Sequence, residues 1–258
     1  MNNEELPFQR LCFGPGRAPV PPICLALNEI HIWGLALDID ETECAHAFTW
    51  LSEDEQERAH RLVSEQHRRR YIVAHAGLRQ LLGCYLGSSA ESIVMERTPA
   101  GKPFLRDWPS ICFNLSHSHG RALVAITKER DVGVDLEQVR PSVDVVGLAK
   151  RFLSAQDQIF IQSGNSTGLH ERFLKAWVAR EAVFKAAGTG LTFPLKDDHI
   201  ELTDDGRAGC LILGRTQESK PIRFLPLEPE WIGAVSSGGT DWVIRYPIWN
   251  ESGVSLGI

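Results

Sequence analysis

Hydrophobic and aromatic side chains recur with a helical period in the first third of the chain. Tyr71, His75, Leu78 and Leu82 follow one another at intervals of four, three and four residues. These intervals place the four side chains on one face of an α-helix. The pattern therefore predicts a helix that ends near Leu86.

Capping residues and glycines predict three further helices. Ser52 precedes three acidic residues and predicts a helix start, because a serine hydroxyl accepts a hydrogen bond from the first helical turn. Residues 142–162 have a helical pattern, and so do residues 169–187, which Gly188 follows as a stop signal. Residues 163–168 form a predicted loop between these two helices.

Runs rich in β-branched and apolar side chains predict the strands. Such runs occupy residues 29–36, 92–97 and 111–115. Residues 122–127 and 132–137 flank a short polar segment, and we interpret them as the two arms of a β-hairpin.

The order of these elements predicts an α+β protein with two α+β halves that join near residue 130. Glycine and proline dominate residues 14–22, which cannot hold a helix or a central strand. Residues 1–22 are therefore predicted to be a loosely attached arm. The predicted N-terminal half is 23–130, and the predicted C-terminal half is 131–258.

The charge and cysteine content limit the classes of function. The 258 residues include 33 acidic and 27 basic ones, so no general attraction for nucleic acid or an anionic membrane is expected. The most apolar stretch, 23–37, carries polar residues and is too short to cross a bilayer. Six cysteines lack a CxxC spacing, and residues 1–10 lack the layout of a secretory signal. We expect a cytoplasmic protein with reduced thiols.

Two carboxylates lie on one face of the predicted strand 132–137. Because side chains alternate along a strand, Gly133, Asp135 and Glu137 share a face. Two such charges about 4 Å apart repel by roughly 4 kcal/mol at an effective dielectric near 20, so this face requires a metal ion or a basic side chain. The alternative is an exposed strand face with two solvated acids.

A second group lies on the predicted helix 169–187. Trp177, Glu181 and Lys185 follow at intervals of four and form one stripe that combines an aromatic ring, an acid and a base. An ordinary surface pair of Glu and Lys would have the same spacing.

Separated cations and a histidine segment could meet an anion. Asn114, Ser116, His117 and His119 lie where the predicted strand 111–115 runs into a loop, and the histidine pair lacks the third ligand that a zinc site needs. Six arginines occur close together, namely Arg58, Arg61, Arg68, Arg69, Arg70 and Arg79. Arg97 and Lys102 flank a turn whose N–H groups could bind phosphate. Carboxylates and cations together favour a Mg²⁺-assisted reaction on a polyphosphate.

Four motifs occur along the chain in the order Gly101-Lys-Pro103, Phe113-Asn-Leu-Ser-His117, Gly133-Val-Asp135 with Glu137, and Trp177-x-x-Arg-Glu-Ala-x-x-Lys185. In kind and order they resemble the motifs of the 4′-phosphopantetheinyl transferases of the surfactin-synthetase-activating (Sfp) type. The resemblance lies within residues 51–191. It implies two similar α+β halves related by a pseudo-twofold axis, with the active site in the cleft between them.

The resemblance also implies an activity and its partners. The 4′-phosphopantetheine arm of coenzyme A would be transferred to a serine of an apo acyl or peptidyl carrier protein, with Mg²⁺ as cofactor and adenosine 3′,5′-bisphosphate as product. The serine nucleophile would belong to the carrier, so the enzyme needs none of its own. Internal duplication is consistent with a monomer, and neither nucleic acid nor a membrane is an expected partner.

Site residues follow from matching the motifs position by position. Asp135, Glu137 and Glu181 would hold Mg²⁺, and Glu181 would also be the base for the serine hydroxyl. Lys185 would bind the pyrophosphate and stabilise the leaving phosphate. The other coenzyme A contacts would be His117, Arg58 and Arg97 at the 3′-phosphate and Gly101, Lys102, Asn114 and Ser116 around the nucleotide.

Three positions depart from the family pattern. Arg180 stands where lysine is usual, and a guanidinium would change the geometry of any phosphate contact there. Glu55 lies where some relatives carry a second basic residue near the 3′-phosphate, and Val178 replaces a usual small residue.

Two other classes of function use the same residues. A metal-dependent phosphoanhydride hydrolase would use water as the nucleophile, and a requirement for a carrier serine would distinguish the transferase from it. A non-catalytic carrier-binding relative is disfavoured because the acids and the lysine of the motifs are all retained.

Overall fold

The computed structural model describes residues 5–13, 22–163, 168–190, 195–250 and 253–257. The α-helices are α1 (Glu41–Thr49), α2 (Glu53–Arg61), α3 (Glu65–Leu86), α4 (Val145–Phe152), α5 (Ala155–Gln162) and α6 (Leu169–Ala187). The strands are β1 (Phe8–Gln9), β2 (Glu29–Ala36), β3 (Met95–Arg97), β4 (Pro103–Leu105), β5 (Ile111–Ser118), β6 (Arg121–Lys128), β7 (Val132–Gln138), β8 (His199–Leu202), β9 (Ala208–Ile212), β10 (Ser219–Phe224), β11 (Trp231–Ser237), β12 (Val243–Asn250) and β13 (Gly253–Gly257).

The chain divides into two compact units, which we name after a strand in each. The β2 unit contains Leu6–Glu96, Phe104–Glu129 and Trp242–Ile258. The β7 unit contains Arg97–Pro103 and Arg130–Asp241, together with Glu5. Both units combine helices with a sheet, which confirms the α+β class. The pseudo-twofold relation and the cleft stay predictions.

The β2 unit is built around a mixed sheet of strand order β13-β12-β2-β6-β5. Residues Ala122 to Ile126 of β6 are fully buried, as expected for a central strand covered on both faces. Helix α3 contributes Leu78, Leu81 and Leu82 to the same core as β2 and β6. It ends at Gly87, which has a left-handed conformation with φ of 65°. The predicted helix and its buried face are confirmed.

The last described strands belong to the β2 unit, which differs from the predicted C-terminal half 131–258. Strand β12 pairs in parallel with β2, from Val243 opposite Glu29 to Arg245 opposite His31. The guanidinium of Arg245 donates to Glu29 at 3.0 Å. This pairing joins residues more than 200 positions apart, so local sequence carries no signal for it.

Residues 5–13 are packed rather than loosely attached. Strand β1 pairs with β2 at Gly34 and Leu35, and Leu6, Leu11 and Phe13 are buried. A side chain at Gly34 would lie 2.5 Å from Leu6 and from the Pro7 carbonyl, so the glycine permits the contact. The arm prediction for this segment is wrong, and its part on 14–21 lies outside the described residues.

The β7 unit is built around an antiparallel sheet of order β7-β11-β10-β9-β8, with α6 packed on it. The predicted hairpin of 122–127 and 132–137 is wrong, because β6 pairs with β2 and β5 whereas β7 pairs with β11. The predicted helix 142–162 is also wrong in one respect. It is interrupted after Phe152, where the Ser154 side chain caps a second helix, α5.

Candidate active site

Helix α6 lies directly against strand β7 at Gly133. A Cβ at this position would lie 2.0 Å from the Ala182 carbonyl oxygen and 2.3 Å from the Ala186 nitrogen. Only glycine permits two backbones to approach this closely. Strand alternation then turns Asp135, two residues on, toward the same helix.

Asp135 and Lys185 form an ion pair at this contact. Lys185 Nζ lies 2.6 Å from Asp135 Oδ1, and Asp135 is only 4% exposed. The sequence predicts that the strand face with two acids requires a cation. In the structure, the ammonium group of Lys185 is a cation at this face. The alternative of a fully solvated strand face is wrong for Asp135.

Glu181 interacts electrostatically with both members of this ion pair. Burial raises the pKa of Glu181 to about 7, and the charges of Asp135 and Glu137 add to the increase, while Lys185 opposes it. A carboxyl with a pKa near neutral is suited to accept a proton at neutral pH. The structure thus brings together Asp135, Glu137, Glu181 and Lys185, from one strand and one helix.

The carboxylates at this contact are candidate ligands of a divalent metal ion. Among the described residues, no group of three or more His, Cys, Asp or Glu side chains is placed so that it could hold a metal ion. Mg²⁺ is usually bound by one or two carboxylates, with phosphate and water oxygens completing the shell. Asp135, Glu137 and Glu181 offer only oxygen donors, and burial together with the charges of Asp135 and Glu137 raises the pKa of Glu181. This chemistry fits Mg²⁺ in the presence of a phosphate ligand.

A largely apolar pocket of about 230 Å³ adjoins this cluster. Its wall includes Glu137 of the cluster and the apolar residues Val143, Leu148, Phe173 and Trp177. The rings of Phe173 and Trp177 stack with their centroids 6.1 Å apart. The predicted stripe on α6 therefore has two parts, with the tryptophan in the pocket wall and the lysine at the acids.

Sequence reasoning did not find two polar residues of this pocket, Arg140 and His170. The imidazole of His170 is hydrogen-bonded to the Val143 carbonyl oxygen at 3.1 Å. His170 lies seven residues before Trp177, a helical spacing that could have placed both on one face.

The turn between β3 and β4 is attached to the end of α6. Lys102 Nζ donates to the Ala186 carbonyl oxygen at 2.6 Å and lies 3.0 Å from Asp131 Oδ1. An ammonium group is favoured at a helix C-terminus, where carbonyl groups lack helical partners. Arg97 donates to the carbonyl oxygen of Gly101 at 3.0 Å, across the turn. The nucleotide-binding roles of these three residues stay predictions.

The predicted strand 111–115 continues to Ser118, so Ser116 and His117 lie on strand β5 and the predicted loop at these residues is wrong. Asn114 and Ser116 are buried at 6% exposure each, whereas His117 is exposed. Because strand side chains alternate, His117 faces the opposite side from Asn114 and Ser116. Their roles in binding coenzyme A stay predictions.

Much of the arginine cluster has internal partners in the β2 unit. Arg79 is buried and ion-paired, Arg70 pairs with Asp38 at 2.7 Å, and Arg69 donates to the Ile39 carbonyl oxygen. Arg58 is exposed, with its guanidinium 5.7 Å from the centre of the Tyr71 ring. Arg58 therefore stays a predicted phosphate contact, whereas Arg79 is structural.

Glu55, which lies where some relatives carry a basic residue, is a buried structural residue. It accepts from Arg79 at 2.7 Å and is hydrogen-bonded to His75 at 3.0 Å, so it joins α2 to α3. It also completes the capping box with Ser52. Despite the cost of burial, these hydrogen bonds and the charges of His75 and Arg79 lower the pKa of Glu55 to about 2.

We expect Glu55→Gln to destabilise the protein by about 3 kcal/mol at pH 7, since a buried arginine loses its charge partner. The low folded-state pKa stabilises the wild type fully only above pH 4.5, and the benefit is lost as the pH falls through about 2. The difference in unfolding free energy between the two proteins should shrink in that range. Denaturant titrations at several pH values measure it.

Glu57→Gln is the matched control on the same helix. Glu57 is an exposed residue 3.7 Å from Arg61, so this change should shift stability by less than about 0.5 kcal/mol. Equal losses in the two variants would contradict the structural role of Glu55.

Arg180 and Val178 are both interior residues of the β7 unit. Arg180 is 1% exposed and paired with Asp157, and Val178 packs with Ala182 and Ala234. Val178 therefore fills the core between α6 and β11. Arg180 is no free phosphate ligand.

Comparisons with known proteins match most of the chain. A family model for the 4′-phosphopantetheinyl transferase superfamily matches residues 131–236, and one for the N-terminal part of 4′-phosphopantetheinyl transferases matches 39–130. The chain is 34% identical over 234 residues to 4′-phosphopantetheinyl transferase HetI of Nostoc sp., covering 88% of this chain and 96% of the relative.

Two relatives from Bacillus subtilis are also similar. A 4′-phosphopantetheinyl transferase is 31% identical over 204 residues, covering 74% of this chain and 89% of the relative. The 4′-phosphopantetheinyl transferase Sfp of strain 168 is 25% identical over 214 residues, covering 82% and 93%. Separately, none of the helices in the described part of the chain is long and apolar enough to cross a membrane.

Proposed function

Because the chain belongs to the 4′-phosphopantetheinyl transferase family, we propose that it transfers 4′-phosphopantetheine from coenzyme A to a serine of an apo acyl or peptidyl carrier protein. The carrier serine oxygen attacks the pyrophosphate phosphorus that bears the pantetheine arm. The phosphoanhydride bond breaks, and adenosine 3′,5′-bisphosphate leaves. The observation that carries this assignment is the convergence of Asp135, Glu181 and Lys185 where α6 meets β7.

Lys185 and Glu181 have complementary roles in this proposal. The ammonium of Lys185, half-buried beside Asp135, binds the pyrophosphate and neutralises charge on the leaving phosphate. Glu181, with a pKa near neutral in the metal-free protein, accepts the proton of the serine hydroxyl directly or through water. Such a reaction depends mainly on positioning and charge neutralisation.

Asp135, Glu137 and Glu181 would hold Mg²⁺ together with the pyrophosphate. When bound, the ion would neutralise phosphate charge and orient the reacting groups. The adjoining 230 Å³ pocket has both apolar and polar wall residues, among them Trp177 and His170, and it is suited to the pantetheine arm, which combines methyl and methylene groups with two amides and a hydroxyl. Arg58, Arg97, Gly101, Lys102, Asn114, Ser116 and His117 stay the proposed nucleotide contacts. We further propose a cytoplasmic monomer that needs neither nucleic acid nor a membrane.

Mass spectrometry of an apo carrier protein tests this function. Incubation with the enzyme, coenzyme A and Mg²⁺ should add the mass of one 4′-phosphopantetheine group, and excess EDTA should prevent the addition. A carrier in which the acceptor serine is replaced by alanine is the control. Coenzyme A cleavage that proceeds equally with this control carrier would support the hydrolase instead, and binding without any turnover would support a non-catalytic relative.

A further inference from the structure

Arg180 and Asp157 form an ion pair in the interior of the β7 unit, and each is 1% exposed. Arg180 Nη2 donates to Asp157 Oδ2 and, at 2.8 Å, to the Asp198 carbonyl oxygen. Its Nη1 donates to the Ala176 carbonyl oxygen at 2.8 Å. The guanidinium thus binds its own helix and two other segments at once.

Asp157 also accepts hydrogen bonds from groups other than Arg180. Its Oδ1 accepts from the Ile200 backbone nitrogen at 3.0 Å, and its Oδ2 accepts from the Ser154 hydroxyl at 2.8 Å. Ser154 also caps α5 through the Asp157 nitrogen. The ion pair therefore joins α6 to the start of α5 and to β8.

The next residues of α6 carry the proposed chemistry on another side of the helix. At about 100° per residue, Glu181 lies roughly 100° and Lys185 roughly 140° around the helix axis from Arg180. Gly133 sets how closely α6 approaches β7, because any side chain there would strike the helix backbone. Backbone proximity alone does not determine the rotation of the helix about its axis.

We propose that Arg180 is a positioning residue, which fixes the rotation of α6 so that Glu181 and Lys185 face Asp135. This inference rests on the proposed transferase function. It assigns Arg180 no contact with phosphate, because its guanidinium is buried and bound to Asp157, Ala176 and Asp198. Lysine, with one ammonium at the end of a flexible chain, does not reproduce this forked geometry.

The expected effect is large because the reacting groups lie far from the helix axis. A rotation of about 10° moves a side chain about 5–6 Å from the axis by roughly 1 Å. Misplacement by about 1 Å lowers rates by about 100-fold in enzymes whose catalysis depends on positioning.

The test compares R180K and D157N with the wild type in the carrier-modification assay, with rates normalised to the folded fraction. For both variants, kcat should fall by at least about tenfold, while the KM for coenzyme A changes by less than about threefold. The double variant R180K/D157N should lose little more than the worse single variant, because both changes break one interaction.

R172K is the matched control. Arg172 also lies on α6 and donates to α5, at the Ile161 carbonyl oxygen, but it precedes Glu181 by more than two turns. Its kcat should stay within about twofold of the wild type.

Three results would overturn the proposal. One is a tenfold higher KM for coenzyme A in R180K at unchanged kcat, which would indicate a phosphate contact. The second is a loss of activity in R180K and D157N that disappears once rates are normalised to the folded fraction. The third is a loss of kcat in R172K as large as that in R180K. Failure of the wild-type protein to modify any carrier would instead overturn the proposed function. The two failures are distinguishable, because the proposal for Arg180 is judged from the ratios of kcat and KM between variant and wild type.

Discussion

Replacing Glu181 with glutamine is expected to lower kcat for carrier modification by about 1,000-fold while the protein stays folded. Glutamine has nearly the same volume, but it accepts no proton and brings no charge to a metal ion. The side chain is only partly buried and supports the site rather than the core. Single-turnover rates of carrier modification measure the loss.

The stability of the metal-free protein gives an independent readout of the same variant. The folded-state pKa of Glu181 is raised from 4.5 to about 7, so this group contributes to the stability of the folded protein. The contribution is fully present below pH 4.5 and is lost as the pH rises through 7. The wild type in EDTA should therefore lose stability over this range, and Glu181→Gln should lose less. Thermal unfolding at pH 5 and pH 8 compares them.

Glu171→Gln is the control for both measurements. Glu171 lies on the same helix, is exposed and pairs with Lys175 at 3.0 Å. This variant should keep the kcat and the pH dependence of the wild type. Retention of more than a tenth of the wild-type kcat by Glu181→Gln would contradict the role proposed for Glu181.

The second large effect is expected at Gly133, where alanine should destabilise the protein by about 1–3 kcal/mol and reduce kcat at least tenfold. The added methyl group would meet backbone atoms of Ala182, Lys185 and Ala186 within 3 Å, so the helix itself must move. Movement of α6 away from β7 separates Lys185 and Glu181 from Asp135. Chemical denaturation and carrier assays measure the two losses.

Gly238→Ala is the matched control in the same unit. A Cβ at Gly238 would meet no atom within 4 Å, and Gly238 does not have a positive φ. This variant should match the wild type in stability and kcat. A Gly133→Ala protein with wild-type behaviour would show that α6 does not rely on this close approach.

Elements with strong local signals were predicted well. The Ser52 cap, the strand Glu29–Ala36 and the helix Leu169–Ala187 occur where the sequence placed them. Each depends on hydrogen bonds and periodic burial within a few residues. The serine cap inside 142–162 was missed because the apolar pattern continues across it.

The candidate site was predicted in part. Strand alternation placed Asp135 with Glu137, and helical spacing placed Glu181 with Lys185, but neither pattern states that the two pairs meet. The motif resemblance supplied that expectation, and the 2.6 Å contact between Lys185 and Asp135 agrees with it. Residue type alone did not distinguish buried Arg79 and Arg180 from exposed Arg58.

The amino-acid sequence identifies the family and indicates most helix and strand positions and the residue types of a charged site. These properties follow from short-range hydrogen bonding, periodic burial and ordered motifs. The three-dimensional structure was needed to show that β7 pairs with β11, that β12 pairs with β2, and which charged groups are partners in the interior. Such pairings arise from packing between distant segments, where buried area and the need to satisfy buried polar groups select the partner.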